Sequence, residues 1–301
     1  MSRFLTKSRK WAVIGAGPCG IGVVGRLLDL GQQVTWIDPA FEVGRMGPFY
    51  RNVPANTLNI DLIVAAKLCD SFKFDETQQK RRDRGEVVMA DLPPQECFPL
   101  GYLVDFLEDS TVELKKHVNV VQGRLTSLQK ESIQAPHWTY HVVADDGHET
   151  TGEVDGVINV TGCKPVSLPG LPSVVAHQSS IKRLVSSGDG VEKAMAFHSL
   201  DQTVNPEYLK TLLHDHPSYQ SHRWVVVGAS HSGMLVVKNL AEAGVHDITV
   251  IHRSPLRFMT LKDNGCKKHQ GTGLKGPVGD WVRHQLAQQE ANNQSQFQLK
   301  Q

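Results

Sequence analysis

Several absences narrow the field before any motif is read. No apolar run in the 301 residues approaches the ~20 residues that a membrane-spanning helix needs, so a membrane location is not expected. Charge of one sign is missing too. Thirty-two basic residues stand against 31 acidic ones, a net charge of +1, which suggests neither a nucleic acid partner nor an anionic membrane surface. Cysteine is sparse: Cys19, Cys69, Cys97, Cys163 and Cys266 form an odd count at wide spacings, without a CxxC or CxxxxC pair. That argues against a disulfide framework and a tandem redox pair, and a reducing compartment, the cytoplasm, is the simpler expectation. No catalytic triad stands out. The 14 histidines are scattered. His214, His216 and His222 lie near one another with no carboxylate or cysteine pattern to join them, so a solvated polar loop is expected there and no metal site. The first ten residues carry Arg3, Lys7, Arg9 and Lys10 but lack a signal peptide's apolar core.

What is present is the composition of an ordinary globular protein, 40% hydrophobic and 21% charged, long enough for one large domain or two ordinary ones. Trp11 to Gly15 is a short apolar run ending in glycine. A helical pattern follows through Val23, Val24, Leu27 and Leu28, with Gly31 placed as its stop, and Val34 to Ile37 is again β-prone. This is a strand–helix–strand unit. Pro39 to Asn59 is rich in Gly, Pro, Arg and Asn and reads as a long irregular loop of the kind that carries function. Asp75 to Arg84 is charged and reads as a solvated excursion. A helix is expected from Pro99 towards Lys116, then extended segments at Val118 to Val121, His137 to Ala144 and Val154 to Val160, with a turn at Asp145-Asp146-Gly147. Pro165 to Pro172 is linker-like. Trp224 to Gly228 then repeats the opening: a helix through Met234, Val237 and Leu240, a stop at Gly244, and a strand at Ile248 to Ile251. Lys275 to Gln289 reads as a terminal helix, with a docking helix as the other reading, and Glu290 to Gln301, rich in Gln and Asn, is expected to fray.

The two strand–helix junctions carry the chemistry. Gly15-Ala16-Gly17-Pro18-Cys19-Gly20 is a complete GxGxxG. Gly15 permits the tight turn, Gly17 lets a pyrophosphate approach the backbone, and Gly20 lets helix and strand pack closely. The helix N-terminus offers free N–H groups to phosphates. Asp38 closes the next strand, where a ribose-binding carboxylate belongs, with a turn-forming Asp before Pro39 as the other reading. At the second junction, Gly228-Ala229-Ser230-His231-Ser232-Gly233, serine replaces the middle glycine. Ser230 and Ser232 are small and can donate to phosphate, and His231 is placed either to touch a phosphate or simply to be exposed. The following strand ends in His252-Arg253-Ser254 instead of a carboxylate. A guanidinium there pairs with a 2′-phosphate, so the second site is expected to prefer NADPH.

Two such units in one chain resemble the two-dinucleotide-binding flavoprotein superfamily, and within it the flavin-containing monooxygenases and amine N-hydroxylases. The further stretches that carry the resemblance are Gly44-Arg45-Met46-Gly47 with Val53-Pro54-Ala55-Asn56, similar to the loop under the flavin ring; Phe98-Pro99 with Tyr102 and Leu103; Trp138 to Val142, similar to a strand of the central meander; Val157 to Gly162, similar to the strand end between the two nucleotide domains; Pro165 and Pro169; and Phe197-His198-Ser199. The family's FxGxxxHxxx(Y/F) signature is not found before the second glycine turn, and the segment that normally returns to the FAD domain is not expected in these residues.

The resemblance implies an α/β fold of two Rossmann-like domains with a small β-meander: an FAD-binding domain over 1–195 and an NADP-binding domain with a C-terminal helix over 196–301. It implies FAD held by Gly15, Gly17, Gly20, Asp38, Arg45, Thr161 and Gly162, and NADP held by Gly228, Ser230, Ser232, Gly233 and Arg253. Asn56 becomes a candidate to hydrogen-bond flavin or substrate, with a turn-forming Asn as the alternative. Hydride would pass from NADPH to FAD, and the substrate would be a small molecule such as an amine or sulfide. Cys19 and Cys163 are expected to be small packing residues. A plain NADPH oxidase or reductase, and a nucleotide-binding sensor or interaction subunit, remain alternatives. A homodimer is one way to complete the FAD domain.

Overall fold

The opening apolar run becomes the inner strand of a parallel sheet. In the computed structural model the described residues are 8–130, 132, 137–163, 182–183, 194–195, 198–261, 267–268, 272–292 and 297–300. The chain forms two compact units, Met1–Cys163 and Lys164–Gln301. The domain boundary expected between 195 and 196 meets residue 196, which lies outside the described residues, as do Pro165 to Pro172 and Phe197.

In the first unit β1 (Lys10–Ile14) leads through α1 (Pro18–Asp29) to β2 (Gln33–Asp38). Pro18 opens the helix, where its missing N–H costs nothing, and Gly31 ends it at φ +68°, a conformation that glycine adopts freely. The excursion that follows holds α2 (Met46–Phe49), α3 (Asn59–Lys67) and α4 (Phe74–Asp83) before α5 (Gly101–Lys115). The solvated excursion expected at Asp75 to Arg84 is therefore a helix. Its anchor is Phe74, buried with its ring 5.2 Å from that of Phe106, and Arg81 ties it to Asp109 and Glu86. Acidic residues in its first turn and basic ones in its last suit the helix dipole, a signal that a bare count of charges hides.

β3 (Asn119–Gln122) and β7 (Gly156–Asn159) complete a four-stranded parallel sheet in the order β3-β2-β1-β7. Between them β4 (Arg124–Gln129), β5 (Trp138–Val143) and β6 (Glu149–Val154) form an antiparallel meander. The side chains of β1 and β2 alternate, so each sheet face has its own core. Val13, Trp36, Ile21, Val24, Val104 and Phe106 gather on the helical side. Ala12, Ile14, Ile37 and Val121 lie under Tyr140, Val142 and Val154 of the meander.

The second unit contains the short ladder of β8 (Lys182–Arg183) and β9 (Ala194–Met195), then α6 (Leu200–Thr203) and α7 (Pro206–Asp215). Ser199 and Gln202 cap α6 reciprocally, and Asn205 caps α7. β10 (Trp224–Val227), α8 (His231–Glu242) and β11 (Ile248–Ile251) repeat the opening architecture. A second ladder of β12 (Thr260–Leu261) and β13 (Lys267–Lys268) precedes α9 (Gly276–Asn292) and β14 (Gln298–Lys300). The parallel sheet runs β10-β11-β14, and α9 packs on α8. The C-terminal stretch expected to fray thus contains a paired strand. Buried Phe297 stacks on Trp281 of α9 and fixes its approach, a tertiary contact that a run of Gln and Asn does not announce. Among the described residues no helix is long and apolar enough to cross a membrane.

Candidate functional site

Both glycine turns form as strand-to-helix turns, and the geometry separates the tasks of their glycines. Gly15 has φ +113°, and a Cβ on it would stand 2.7 Å from the Val160 carbonyl oxygen. Its N–H donates to the Ile37 carbonyl at 2.8 Å, and its own carbonyl accepts from the buried Trp36 Nε1 at 3.0 Å. A Cβ on Gly20 would meet the Gly15 oxygen at 2.0 Å. The protein's own packing therefore requires these two glycines. Gly17 is different: its backbone is extended (φ −75°, ψ 178°), and a Cβ there would reach only the Gly44 Cα, at 4.0 Å. Nothing in the described chain forbids a side chain at Gly17. The space kept clear lies at the N-terminus of α1, as a pyrophosphate cradle requires.

Asp38 staples this turn to the next loop. Its Oδ2 accepts from the Ala16 N–H at 2.7 Å, and its Oδ1 accepts from the N–H groups of Ala40 and Phe41 at 2.9 and 2.7 Å. The turn-forming role is the one these bonds show. Asp38 forms the turn before Phe41, and it sits at the strand end beside the glycine turn with lone pairs still uncommitted. The loop beyond it is strained: Phe41 and Val43 are buried yet hold φ of +56° and +58°. Trp36 packs edge-on against the Phe41 ring, and Lys115 lies over that ring at 4.0 Å. Gly44, at φ +57°, brings this loop against Gly17, where a Cβ would come within 3.0 Å of the Gly17 Cα. Arg45 follows directly, with its guanidinium over the Phe49 ring at 5.3 Å.

Thr161 and Gly162 lie exposed at the end of β7, next to the first glycine turn; the backbone N of Thr161 is 3.1 Å from where a Gly15 Cβ would be. Cys19 and Cys163 are also exposed, which corrects the expectation that they are packing residues. Both sit on the open rim of the turn, where no core reaches them. Asn56 is half-buried and accepts from the Thr57 hydroxyl at 3.2 Å. Its loop is held by the Ala55 N–H to the Phe98 carbonyl at 2.8 Å and by Arg51, which pairs with Asp105 and Glu108 of α5. A small hollow beside it is lined by Ala55, Thr57, Phe98, Pro99 and Tyr102, among others, without Asn56. Sequence reading missed Trp36, and it placed Gly44 only in the stretch similar to the loop under the flavin ring, without its approach to Gly17.

The second turn repeats the first. Gly228 has φ +104° and donates its N–H to the Ile251 carbonyl at 2.8 Å, and a Cβ on Gly233 would meet the Gly228 oxygen at 2.0 Å. Ser230 stands where Gly17 stands, with the same extended backbone (φ −79°, ψ −179°), and its side chain does not cap the helix. Ile37 and Ile251 are counterparts by these hydrogen bonds, so His252, not Arg253, occupies the position of Asp38. His252 Nδ1 lies 2.9 Å from the Ser254 carbonyl. Arg253, one residue on, is exposed. Burial and the charge of Lys275 hold the His231 imidazole below the usual histidine range.

Comparison with known proteins agrees with this geometry. The profile of the family described as pyridine nucleotide-disulphide oxidoreductase matches residues 9–270, a span that includes both turns. The chain is 29% identical over 289 residues to the monooxygenase AgnR1 of Paecilomyces divaricatus, an overlap covering 91% of this chain and 66% of that relative's length. Its fold resembles an ornithine N-hydroxylase of Kutzneria sp. 744, with a TM-score of 0.60, 12% identity and coverage of 97% of this chain and 71% of that one. It also resembles a bacillithiol disulfide reductase from Bacillus cereus, with a TM-score of 0.52, 14% identity and coverage of 98% and 68%.

Proposed function

The chain belongs to the pyridine nucleotide-disulphide oxidoreductase family, which binds FAD and NAD(P), and on that premise we propose that it is an FAD-dependent oxidoreductase taking hydride from NADPH. The observation that carries this is Gly17: a glycine that the chain's own packing does not require, set where a pyrophosphate would lie. FAD is assigned to the first unit. Gly15 and Gly20 shape the turn there, Gly17 and the first N–H groups of α1 receive the pyrophosphate, and Asp38 reaches the ribose while holding the loop. Arg45, Thr161 and Gly162 line the approach to the ring. NADPH is assigned to the second unit, with Gly228 and Gly233 shaping the turn, Ser230 and Ser232 donating to phosphate, and Arg253 reading the 2′-phosphate. The proposed domains are 1–195 and 196–301.

When bound, the flavin would supply the redox chemistry, and the nicotinamide the electrons. The relative's designation as a monooxygenase supports the same activity here, on a small amine or sulfide substrate, with Asn56 as the candidate contact. The test is the visible absorption spectrum of the purified full chain, recorded before and after NADPH is added without oxygen. A flavin band that bleaches is expected. A band that NADPH leaves unchanged would remove the second site, and a chain that takes up no FAD when it is supplied would leave a nucleotide-binding interaction module. NADPH oxidation coupled to an added amine or sulfide, rather than uncoupled from it, would separate the monooxygenase from a plain oxidase.

A further inference from the structure

One peptide of the first glycine turn is held at both ends by side chains of a single strand. The Gly15 carbonyl accepts from Trp36 Nε1 at 3.0 Å, and the Ala16 N–H, the other pole of the same peptide, donates to Asp38 Oδ2 at 2.7 Å. Between these two residues of β2, the Ile37 carbonyl takes the Gly15 N–H at 2.8 Å. The contacts then close on themselves. Asp38 Oδ1 accepts from the Phe41 N–H at 2.7 Å, and the Phe41 ring meets Trp36 edge-on with centroids 5.1 Å apart. Trp36 is 0% exposed, so packing holds its indole where the bond needs it. The second turn has no such clamp. The bond from the Gly228 N–H to the Ile251 carbonyl aligns Val250 with Trp36 and His252 with Asp38. Val250 has no donor, and His252 Nδ1 lies 2.9 Å from the Ser254 carbonyl. Among the described residues no side chain bonds to the Gly228-Ala229 peptide.

We propose that Trp36 is a positioning residue of the first nucleotide site: with Asp38 it locks the Gly15-Ala16 peptide, so the turn stands in its binding shape before the nucleotide arrives. The assignment rests on the FAD reading above and deepens it. The lock fixes ψ of Gly15 and φ of Ala16, and these two angles aim Gly17 and the start of α1. Glycine has the most backbone freedom to lose, and the indole N–H removes that freedom in the ligand-free chain. Binding then requires no further ordering of the turn, which favours affinity. The Gly228-Ala229 peptide is ordered by its ligand instead. The first site is thereby built to retain its nucleotide and the second to exchange it, and the side chains that make the difference are Trp36 and Val250.

The experiment removes the indole N–H alone. Benzothienylalanine in place of Trp36 keeps the bicyclic shape and puts sulfur where the N–H was, and fluorotryptophan at the same position keeps the N–H as the conservative control. Each full chain, freed of flavin, is titrated with FAD and with NADP⁺ and then unfolded in urea. The benzothienyl chain should bind FAD about tenfold more weakly and NADP⁺ within about twofold of the wild type, and the fluoro chain should match the wild type throughout. In the ligand-free wild type the Ala16 amide should exchange with deuterium about tenfold or more slowly than the Ala229 amide, and the benzothienyl substitution should narrow that gap. A benzothienyl chain that loses stability in urea yet binds FAD within about twofold of the wild type would overturn the proposal and leave the FAD reading standing. The bond would then support the fold equally with and without the nucleotide. Equal exchange at Ala16 and Ala229 would likewise overturn it. A wild type that takes up no FAD would remove the FAD reading itself, and the proposal with it.

Discussion

The two units close their glycine turns with the same bonds and then part company. Gly15 bonds Ile37 as Gly228 bonds Ile251, which aligns Ala12, Ile14 and Ile37 with Val225, Val227 and Ile251. In the first unit these residues are 0%, 6% and 1% exposed, because the meander of β4, β5 and β6 lies on them. In the second they are 52%, 64% and 45% exposed. The strand ends differ as well: Asp38 gathers three backbone N–H groups, whereas His252 meets a carbonyl. The comparison teaches that a dinucleotide turn is a local device, built from a few glycines and one strand-to-strand hydrogen bond. What lies over the sheet behind it is a separate matter, settled by the segment that the chain places there.

The sharpest way to break this comparison is at the glycines themselves. Gly20→Ala forces a Cβ onto the Gly15 carbonyl and should destabilise the first unit by about 3 kcal/mol or more in urea unfolding. Gly17→Ala meets nothing in the chain, so it should change stability by less than about 0.5 kcal/mol while abolishing retention of FAD. A large loss of stability in Gly17→Ala would show that the chain needs this glycine for itself. The covered and bare faces give a smaller contrast. Ile14→Ala should cost about 2–4 kcal/mol, and its counterpart Val227→Ala less than about 0.5 kcal/mol. A comparable loss at Val227 would mean that the second face is covered in solution.

The smallest effect concerns pH and belongs to the first unit alone. Lys116, Lys73 and His117 hold the Glu113 carboxyl down to about 2, below its ordinary 4.5. A folded-state pKa lowered in this way gives stability that is full above pH 4.5 and lost as the pH falls towards 2. Glu113→Gln should flatten the acid limb of the stability profile in that window. An unchanged acid limb would show that these ion pairs contribute nothing measurable.

Much of the fold was legible because its signals are local. The apolar run from Trp11, the helix pattern through Leu28 and the stop at Gly31 became β1 and α1, and the repeat from Trp224 became β10, α8 and β11. The helix α4 was not legible, because its amphipathic signal rests on one aromatic, Phe74, that packs on Phe106 far along the chain. Nor was β14, which is held by Phe297 against Trp281. The candidate site divides in the same way. The glycines could be read from spacing, but the Asp38 staple and the Gly17–Gly44 approach join residues distant in sequence.

The sequence by itself determined the two turns, since a GxGxxG between strand and helix leaves the backbone few other conformations, and the family profile spans both. It also determined that the two turns end in opposite chemistries, a carboxylate at Asp38 and a base at His252 and Arg253. Only the tertiary structure decided which glycine the fold itself requires and which its packing does not. That distinction depends on whether a carbonyl from another strand or turn stands within van der Waals reach of the missing Cβ, and no local pattern carries that distance.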